Sequence, residues 1–485
     1  MTTPLKQQKI LVDLKVAMNN GYCGIAKENR LVFKMLAQAE STALSGILVS
    51  SSSSTVFAHY RKHAERTEEI EQANHFFHDA LGHELTLKNR VLRRLKLTLP
   101  YAFKKTKFDL FSIDSIFNDV IWRTVFDKSL SPEDRELILR NKFLFTDLSS
   151  LHLGLNSYFK RKAKLNTAGY DFAVFLEPVP ISVSPGTTKI VRYHDAIPIT
   201  EPDFAGARYS YGTMNTLKHC VKDSYFVCNS EPTRQVLLNL HPELEARVRM
   251  IPSSISSNYS KTLDQAILKE ILITRMSSQV VKPEALKELR AKVQGLGQFK
   301  YIFNLATLDP KKNHLNLIKA WEKLNYQNPG QLKLIIAANS GWFSQEIEDL
   351  MRPHVELGNI IHVDKLTVEE LPYLFSHAQA FVFPSFIEGF GLPPLEAMQC
   401  GCPVIVSDIP AHRWVIGEAG LYCDPYNPDS ILAAMLKLCI LPDAEQLGKN
   451  LSQKGLERVN RYTEATLAGQ WRQLFEDLNA LTDKP

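Results

Sequence analysis

The chain has 485 residues, of which 45% are hydrophobic and 22% are charged. A length beyond the range in which one hydrophobic core keeps growing predicts two domains, and this composition excludes an intrinsically disordered protein. The formal net charge of +5 is a mild positive excess, which suits phosphate-bearing partners without demanding nucleic acid.

The seven cysteines are scattered, and none of them forms a C-x-x-C pair. This pattern argues against a disulfide framework and a structural zinc site, so a reducing cytosol is the simplest compartment. The first residues lack the apolar core and cleavage site of a secretory signal, and no apolar stretch approaches the ~18 residues needed to cross a bilayer. We therefore expect a cytoplasmic protein that is soluble or at most peripheral at the inner face of the membrane.

Short apolar runs rich in Val, Ile and Phe alternate with amphipathic stretches, which predicts an α/β protein with doubly wound parallel sheets. The runs fall into two series, and each series could form one Rossmann-like domain. The first series comprises 9–16, 45–50, 170–178, 188–195, 223–230 and 248–254. The second series comprises 300–307, 332–339, 359–365, 379–385 and 402–408.

The two series divide the chain into predicted domains. We expect an N-terminal Rossmann-like domain over 1–256 and a C-terminal Rossmann-like domain over 257–460. Residues 64–165 look helical and interrupt the strand alternation, so we predict a helical insertion in the first domain. Residues 255–299 read as polar loop and exposed helix, which is typical of a linker. Residues 461–485 are predicted to form a helix that returns toward the N-terminal domain.

In the second series, the segment E-G-F-G-L-P-P-L-E runs from Glu388 to Glu396, between a predicted buried strand and a short helix. Prolines can open the first turn of that helix, and Gly401 can close it. A glycine loop that enters a helix exposes backbone N–H groups at the positive end of the helix dipole, which favours a phosphate or diphosphate. The flanking carboxylates can accept hydrogen bonds from hydroxyl pairs. The arrangement therefore fits a nucleotide sugar, with its ribose at one glutamate and its hexose at the other.

A simpler interpretation is that Glu388 is a solvated loop residue, that Glu396 adds favourable charge near a helix start, and that the glycines only turn the chain. A lone G-x-G would not decide between the two interpretations. The complete spacing, placed between a buried strand and a helix, favours the nucleotide-sugar interpretation.

This segment resembles the E-x7-E motif of retaining glycosyltransferases of family 4, whose GT-B architecture has two Rossmann-like domains facing across a cleft. The chain is similar to bacterial mannosyl- and glucosyltransferases of polysaccharide or O-antigen assembly. Further segments that resemble family motifs are 21–32, 193–199, 228–238, 306–324 and 407–431. Residues 50–165 match little of the family.

The resemblance implies roles for individual residues. Glu388 would contact donor-sugar hydroxyls near the reacting centre, Glu396 would hold the ribose, and Lys312 would neutralise the diphosphate as the bond to the sugar breaks. His194 would face the donor sugar or phosphate, with Asp195 orienting its ring. The other donor-binding residues that the resemblance implies are Gly24, Lys311, Gly389, Phe390, Gly391 and Leu392.

Some of these residues have plainer alternatives. A lone histidine after a buried strand, such as His194, is more often structural. Lys311 and Lys312 could simply be solvated, although the dipole of the following helix disfavours cations at its start. The family often has a second base where this chain has Thr307, and Lys311 or Arg413 could supply that charge.

The sequence has no D-x-D motif and no cluster of His, Cys and carboxylate residues at metal-ligand spacing. We therefore expect a metal-independent reaction without a cofactor, in which Lys312 and helix N-termini stabilise the leaving nucleoside diphosphate.

Residues 85–108 form a predicted basic amphipathic stretch, which could bring the enzyme to an anionic membrane surface and a lipid-linked acceptor. The alternative is an ordinary amphipathic helix that packs on its own domain with a solvated basic face.

The predicted function is therefore transfer of a hexose from GDP-mannose or a UDP-hexose to a glycan or lipid-linked glycan acceptor, with retention of the anomeric configuration. The alternatives are a nucleotide-sugar epimerase or hydrolase of GT-B fold, and a catalytically silent nucleotide-sugar binding protein. A nucleic-acid partner is not expected, because the basic residues lack interleaved aromatic side chains on which bases could stack.

Overall fold

The structure is a computed structural model, and its chain divides into two compact units. The first unit comprises Met1–Ser254 and Leu467–Pro485, and the second comprises Ile255–Thr466. The residues that the structure describes are 8–18, 24–39, 42–49, 107–113, 115–146, 148, 162–204, 207–277, 299–339, 341 and 344–482.

The described part of the first unit contains one large sheet and one small sheet. Its strands are β1 (Gln8–Asp13), β2 (Thr42–Val49), β3 (Lys107–Phe108), β4 (Phe111–Ser112), β5 (Lys142–Thr146), β6 (Ala163–Leu165), β7 (Phe172–Phe175), β8 (Ile181–Ser182), β9 (Thr188–Tyr193), β10 (Tyr225–Cys228) and β11 (Val248–Met250). The large sheet has the order β11-β10-β9-β7-β1-β2-β5-β4, and the small sheet has the order β3-β6-β8. All neighbours in the large sheet are parallel except β4 and β5.

The helices of the first unit include α1 (Gly24–Ala37), α2 (Asn118–Ile121), α3 (Arg135–Leu139), α4 (Ile197–Thr200), α5 (Ala207–Cys220) and α6 (Glu231–Leu240). Both faces of the large sheet are covered. Because successive side chains of a strand point to opposite faces, Ile10 and Val12 pack in one hydrophobic cluster and Leu11 packs in another. This two-sided burial explains why β1 reads as a continuous apolar run.

The second unit is built on a six-stranded parallel sheet with the order β14-β13-β12-β15-β16-β17. Its strands are β12 (Lys300–Leu305), β13 (Leu332–Ala337), β14 (Ile360–Val363), β15 (Ala380–Phe383), β16 (Val404–Ser407) and β17 (Gly420–Cys423). Its helices are α7 (Gln265–Ser277), α8 (His314–Gln327), α9 (Gln345–Glu356), α10 (Leu371–His377), α11 (Leu392–Gln399), α12 (Pro410–Ile416), α13 (Pro428–Cys439) and α14 (Ala444–Val459).

The final helix, α15 (Glu464–Thr482), contributes to the core of the first unit. Its residues Leu467, Trp471, Leu474, Phe475 and Leu478 are buried in the same cluster as β1 and β7. These residues recur at three- and four-residue intervals, so they lie along one face of the helix.

The structure confirms the two predicted series of strands but corrects the description of two intervening regions. The predicted helical insertion over 64–165 is wrong for four described strands, β3, β4, β5 and β6. Of these, β5 pairs in parallel with β2 and extends the large sheet. The predicted exposed helix of the linker is wrong for α7, because its Leu268 and Leu272 are buried in the core of the second unit.

The predicted basic stretch 85–108 lies outside the described residues except for Lys107 and Phe108, which form the short strand β3. Within the described ranges, no helix combines the length and the apolar character that spanning a membrane would require.

Candidate donor site

The second sheet has a topological switch point between β12 and β15. Strands continue outward from β12 through β13 to β14, and the chain then returns to place β15 on the other side of β12. In open parallel sheets, ligands bind at the carboxyl ends of the strands where the order reverses in this way. The predicted site residues Lys312 and Glu388 follow β12 and β15, respectively.

The turn that carries Lys312 is fixed by side-chain hydrogen bonds. Asp309 accepts a 3.0 Å hydrogen bond from the backbone N–H of Lys311, which starts the turn. Asn313 adopts a left-handed conformation with φ of 61° and donates through Nδ2 to the carbonyl oxygens of Pro384 (2.9 Å) and Pro425 (2.7 Å). The turn after β12 is therefore tied to the loop after β15.

Lys312 and Glu388 form an ion pair, with 2.6 Å between Nζ and Oε1. Their side chains are 16% and 11% exposed, so the pair is mostly buried but still reaches solvent. Burial alone raises the pKa of Glu388, but the Lys312 ammonium outweighs it, and the pKa of the carboxyl is lowered from its ordinary value. Lys312 Nζ also lies 5.1 Å from the centroid of the Phe383 ring. The arrangement holds a cation and a carboxylate together at the switch point.

The glycine loop, residues 388–391, leads directly into α11. Gly391 has φ of 96°, a left-handed conformation that favours glycine. Phe390 is buried and its ring packs edge-on against Trp414 and Tyr462, so this side chain anchors the loop. Within the described part of the chain, the backbone N–H groups of Phe390 and Gly391 have no hydrogen-bond partner. These donors and the start of α11 can receive an anion.

Glu396 is the fifth residue of α11, at the start of its second turn. It is only 4% exposed, and it interacts through a hydrogen bond with the Tyr259 side chain. Burial and the neighbouring Glu396 carboxylate raise the pKa of Tyr259 well above its ordinary value, which keeps the phenol protonated and able to donate. The predicted ribose contact at Glu396 stays a prediction, and Tyr259 is a partner that sequence reasoning missed.

Lys311 and Arg413, the two residues that could supply a second positive charge to the site, have different surroundings. The backbone carbonyl of Lys311 accepts a 2.9 Å hydrogen bond from the N–H of Phe386, which places this residue beside the loop after β15. Arg413 instead makes two 2.6 Å hydrogen bonds to Asp408 and stacks 3.8 Å from the Tyr422 ring centroid. Its charge is therefore already paired.

In the first unit, His194 follows β9, and both of its ring nitrogens lie beside acceptors. Nε2 is 2.8 Å from the carbonyl oxygen of Leu176, and Nδ1 is 3.2 Å from Glu28 Oε2. Glu28 is buried, and it also accepts hydrogen bonds from Arg192 and Ser253. A ligand that bonded to either ring nitrogen would have to replace one of these acceptors.

Asp195 does not orient His194 as predicted. Its Oδ1 accepts a 3.0 Å hydrogen bond from the N–H of Ile197 and starts α4 instead. Glu28 takes the orienting position, although it lies far from His194 in sequence. The available sequence signal was the charged run K-E-N-R in a helix whose following residues are all apolar or buried.

The carboxyl edge of the first sheet also carries charged residues at its own switch point, between β1 and β7. Lys15 Nζ lies 2.7 Å from Glu177 Oε1, and Asp13 accepts a 2.9 Å hydrogen bond from the N–H of Lys15. Burial raises the pKa of Asp13 to about 6, against the opposing effect of Lys15. The predicted donor-binding residue Gly24 is exposed as the first residue of α1.

Sequence reasoning did not single out His412, which lies in α12 against the glycine loop. Its ring is fully buried, with its centroid 5.7 Å from that of Phe383. A Cβ atom on Gly391 would lie 3.1 Å from His412 Nε2. In the described residues, no group of three or more His, Cys, Asp or Glu side chains could hold a metal ion.

Residues 287–457 match the family model described as "Glycosyl transferases group 1". The matched segment includes Lys312, Glu388, Glu396 and His412. The O-antigen chain mannosyltransferase B of Escherichia coli is 38% identical over 137 residues, which cover 28% of this chain and 36% of that protein. The chain thus spans about a third of the length of this relative.

Two solved structures resemble nearly the whole chain. Sucrose-phosphate synthase from Thermosynechococcus elongatus has a TM-score of 0.60 at 15% identity and covers 98% of this chain and 100% of its own. Anabaena HepE, solved with UDP and glucose, has a TM-score of 0.57 at 12% identity, with coverages of 97% and 100%. The predicted mixed α/β GT-B fold is therefore confirmed.

Proposed function

We propose that the chain is a retaining hexosyltransferase, which moves a hexose from a nucleotide-diphosphate sugar to a glycan or lipid-linked glycan acceptor. The observation that carries this proposal is the Lys312–Glu388 ion pair beside the glycine loop at the switch point of the second sheet. Both residues lie inside the segment that matches the glycosyl transferases group 1 model.

The charges of this site suit departure of a nucleoside diphosphate. As the bond between the anomeric carbon and the diphosphate oxygen breaks, negative charge grows on the phosphate, where Lys312 and the loop N–H groups stabilise it. The acceptor hydroxyl attacks on the face that the phosphate leaves and passes its proton to that phosphate. Glu388 accepts a hydrogen bond from a donor-sugar hydroxyl. Because Lys312 and the helix N-terminus supply the positive charge, we expect the reaction to proceed without a metal ion or cofactor.

Mannose is the favoured sugar, because the similar Escherichia coli protein is named as an O-antigen chain mannosyltransferase. We therefore infer that GDP-mannose is the donor and that the acceptor is a growing polysaccharide or its lipid-linked precursor. The HepE structure contains UDP and glucose, which makes a UDP-hexose the second donor to test.

If the acceptor is lipid-linked, the enzyme must catalyse the transfer at the cytoplasmic face of the membrane. The sequence places Arg93 and Arg94 in the basic stretch 85–108. Flotation with anionic liposomes should fall in an Arg93→Glu/Arg94→Glu double variant, because anionic lipids attract such residues. Equal flotation of both proteins would discard membrane docking through this stretch.

The decisive experiment incubates the purified full chain with GDP-mannose or UDP-glucose, with and without a membrane glycolipid extract, in the presence of EDTA. Nucleoside diphosphate release and sugar incorporation are measured separately, and NMR of the product gives the configuration of the new glycosidic bond. Acceptor-dependent incorporation with a retained anomeric configuration is the expected result.

The other outcomes identify the alternatives. Release of free sugar without an acceptor would indicate a hydrolase, and conversion of the donor to its stereoisomer would indicate an epimerase. Binding without turnover of any donor would indicate a silent binding protein. Loss of all activity in EDTA with recovery on adding Mg²⁺ would contradict the metal-independent mechanism.

A further inference from the structure

His412 is a polar side chain enclosed in the second unit. It is 0% exposed, and it lies in α12 between the end of β16 and the glycine loop. A buried polar group usually has a hydrogen-bond partner for each of its polar atoms, since an unmade bond is costly. His412 satisfies this expectation at only one of its two ring nitrogens.

The hydrogen bonds at Nδ1 fix the tautomer of the ring. Nδ1 lies 3.1 Å from the carbonyl oxygen of Ser407 and 3.0 Å from its Oγ. The Ser407 hydroxyl donates its own proton to the carbonyl oxygen of Ser385, at 2.6 Å, so its Oγ can only accept from His412. Nδ1 therefore carries a proton that it donates to Ser407.

The second nitrogen, Nε2, is then an acceptor. Burial lowers the pKa of His412 to about 4, although the nearby Glu388 carboxylate opposes this effect, so the ring is neutral at physiological pH. Nε2 consequently keeps a free lone pair. Within the described part of the chain, this atom is buried and has no hydrogen-bond partner.

The position of Nε2 relates it to the candidate donor site. The atom lies against Gly391, where a Cβ would approach it to 3.1 Å. Any residue other than glycine would cover the edge of the imidazole with its side chain. Glu388, at the other end of the glycine loop, is close enough for its charge to act on His412. The imidazole edge thus faces the loop between Glu388 and α11.

We propose that His412 is a donor-binding residue, whose Nε2 accepts a hydrogen bond from a hydroxyl of the sugar held at the glycine loop. This inference rests on the proposed function, since it assumes a nucleotide sugar at that loop. Glu388 and Nε2 are both acceptors, so the sugar must present at least two donating hydroxyl groups to this part of the site. His412 therefore contacts only the sugar of the donor, and it makes no contact with the nucleoside diphosphate.

A matched pair of variants separates the two nitrogens. In His412→Asn, the side-chain amide can still donate to Ser407 in place of Nδ1, but nothing replaces the Nε2 acceptor. In His412→Gln, the longer side chain can present its oxygen near the Nε2 position. Binding of GDP-mannose and of GDP alone is measured by titration calorimetry for the wild-type chain and both variants. UDP-glucose and UDP replace them if the wild-type protein prefers that donor.

The expected result is a loss of about tenfold in GDP-mannose affinity for His412→Asn, which corresponds to one hydrogen bond. Its GDP affinity should stay within about twofold of wild type, and His412→Gln should recover most of the lost affinity. Equal loss of GDP and GDP-mannose binding would mean that His412 only supports the fold, and unchanged GDP-mannose binding would mean that Nε2 makes no contact. Either result overturns the inference.

A measurement on the unmodified protein covers the case in which His412→Asn does not fold. The ¹⁵N resonance of the unprotonated Nε2 should shift on adding GDP-mannose and not on adding GDP, with His412→Gln used for its assignment. A resonance that responds equally to both ligands overturns the inference. If the wild-type chain binds no nucleotide sugar in any of these experiments, the proposed function itself fails.

Discussion

Arg192 Nε donates a 2.8 Å hydrogen bond to Glu28 Oε1, and both side chains are buried in the first unit. Burial favours the neutral form of Glu28, but Arg192, His194 and Ser253 outweigh it and lower the pKa of this carboxyl. Glu28→Ala would leave the Arg192 charge buried without its partner. We expect it to reduce the free energy of unfolding by about 3–5 kcal/mol, measured by denaturant titration.

An exposed ion pair supplies the control for this prediction. Glu445 pairs with Lys449 at 2.6 Å on the surface of α14. Glu445→Ala should leave the midpoint of the denaturant titration close to that of the wild-type chain, because exposed ion pairs contribute little to stability. A similar small effect of Glu28→Ala would contradict the structural importance that we assign to the buried pair.

Lys312→Ala tests the electrostatic role of the cation at the switch point. Without the ammonium, charge on the leaving diphosphate is less stabilised, so we expect kcat to fall by about 100-fold or more and donor affinity to fall as well. Lys323→Ala is the matched control, because Lys323 is half exposed and pairs with Asp429. Equal activities of the two variants would exclude the proposed role of Lys312.

The two glutamates of the motif should have different kinetic effects. Glu388→Ala should lower kcat more than donor affinity, because its carboxylate pairs with Lys312, beside which we propose that the bond to the sugar breaks. Glu396→Ala should mainly weaken donor binding. Tyr259→Phe removes only the hydroxyl that contacts Glu396. Its loss of donor affinity measures how much of the Glu396→Ala effect comes from the buried hydrogen bond between Tyr259 and Glu396. Small, equal effects of both glutamate variants would contradict these assignments.

Asp13 should make stability depend on pH in an unusual direction for a carboxyl group. Its pKa is about 6 in the folded state and 3.8 for the free group, so the folded chain holds this proton more tightly. Asp13 therefore makes the fold less stable as pH rises from about 4 to about 6, by about 3 kcal/mol in total. Asp13→Asn should be more stable than wild type at pH 8 and lose that advantage near pH 4. A constant difference between the proteins across this range would exclude the ionisation effect.

Gly391→Ala should impair both stability and donor binding. Its φ of 96° strains any residue with a side chain, and the added Cβ would press on the ring of His412 at 3.1 Å. Gly448→Ala in the interior of α14 is the control, because its Cβ would meet only Leu438 at an ordinary distance of 3.9 Å. Thermal unfolding and nucleotide titration should show loss for Gly391→Ala and a slight gain in stability for Gly448→Ala. A Gly391→Ala chain with wild-type stability and donor affinity would contradict the prediction.

The apolar runs predicted the central strands correctly because a parallel strand covered on both faces needs a continuous apolar sequence. Strand β5 was missed, since K-F-L-F-T is short and follows a stretch with helical periodicity. Strand β17, at the sheet edge, begins with glycine and is only half-buried, so its apolar signal is weak. Helix α7 was read as exposed because its apolar residues are spread around the helix rather than along one stripe.

Sequence reasoning could place predicted site residues near one another where they share one short motif. Glu388, Gly391 and Glu396 stand in a single segment, and the lysines of the other segment follow a neighbouring strand. Glu28 and Arg192 are 164 positions apart, and only the fold brings them together. His412 was missed for another reason, since a histidine between Ala411 and Arg413 gives no sign that it is buried or which tautomer it adopts.

Helix α15 sets an order for folding during synthesis. Leu467, Trp471 and Phe475 complete the hydrophobic cluster that β1 begins, but the ribosome makes them after the whole of the second unit. The hydrophobic cluster of the first unit therefore stays incomplete, with part of its apolar surface uncovered, while some two hundred later residues are translated. A nascent chain released before Leu467 would expose this apolar surface to chaperones and proteases, even though every described strand of the large sheets of both units had already been synthesised.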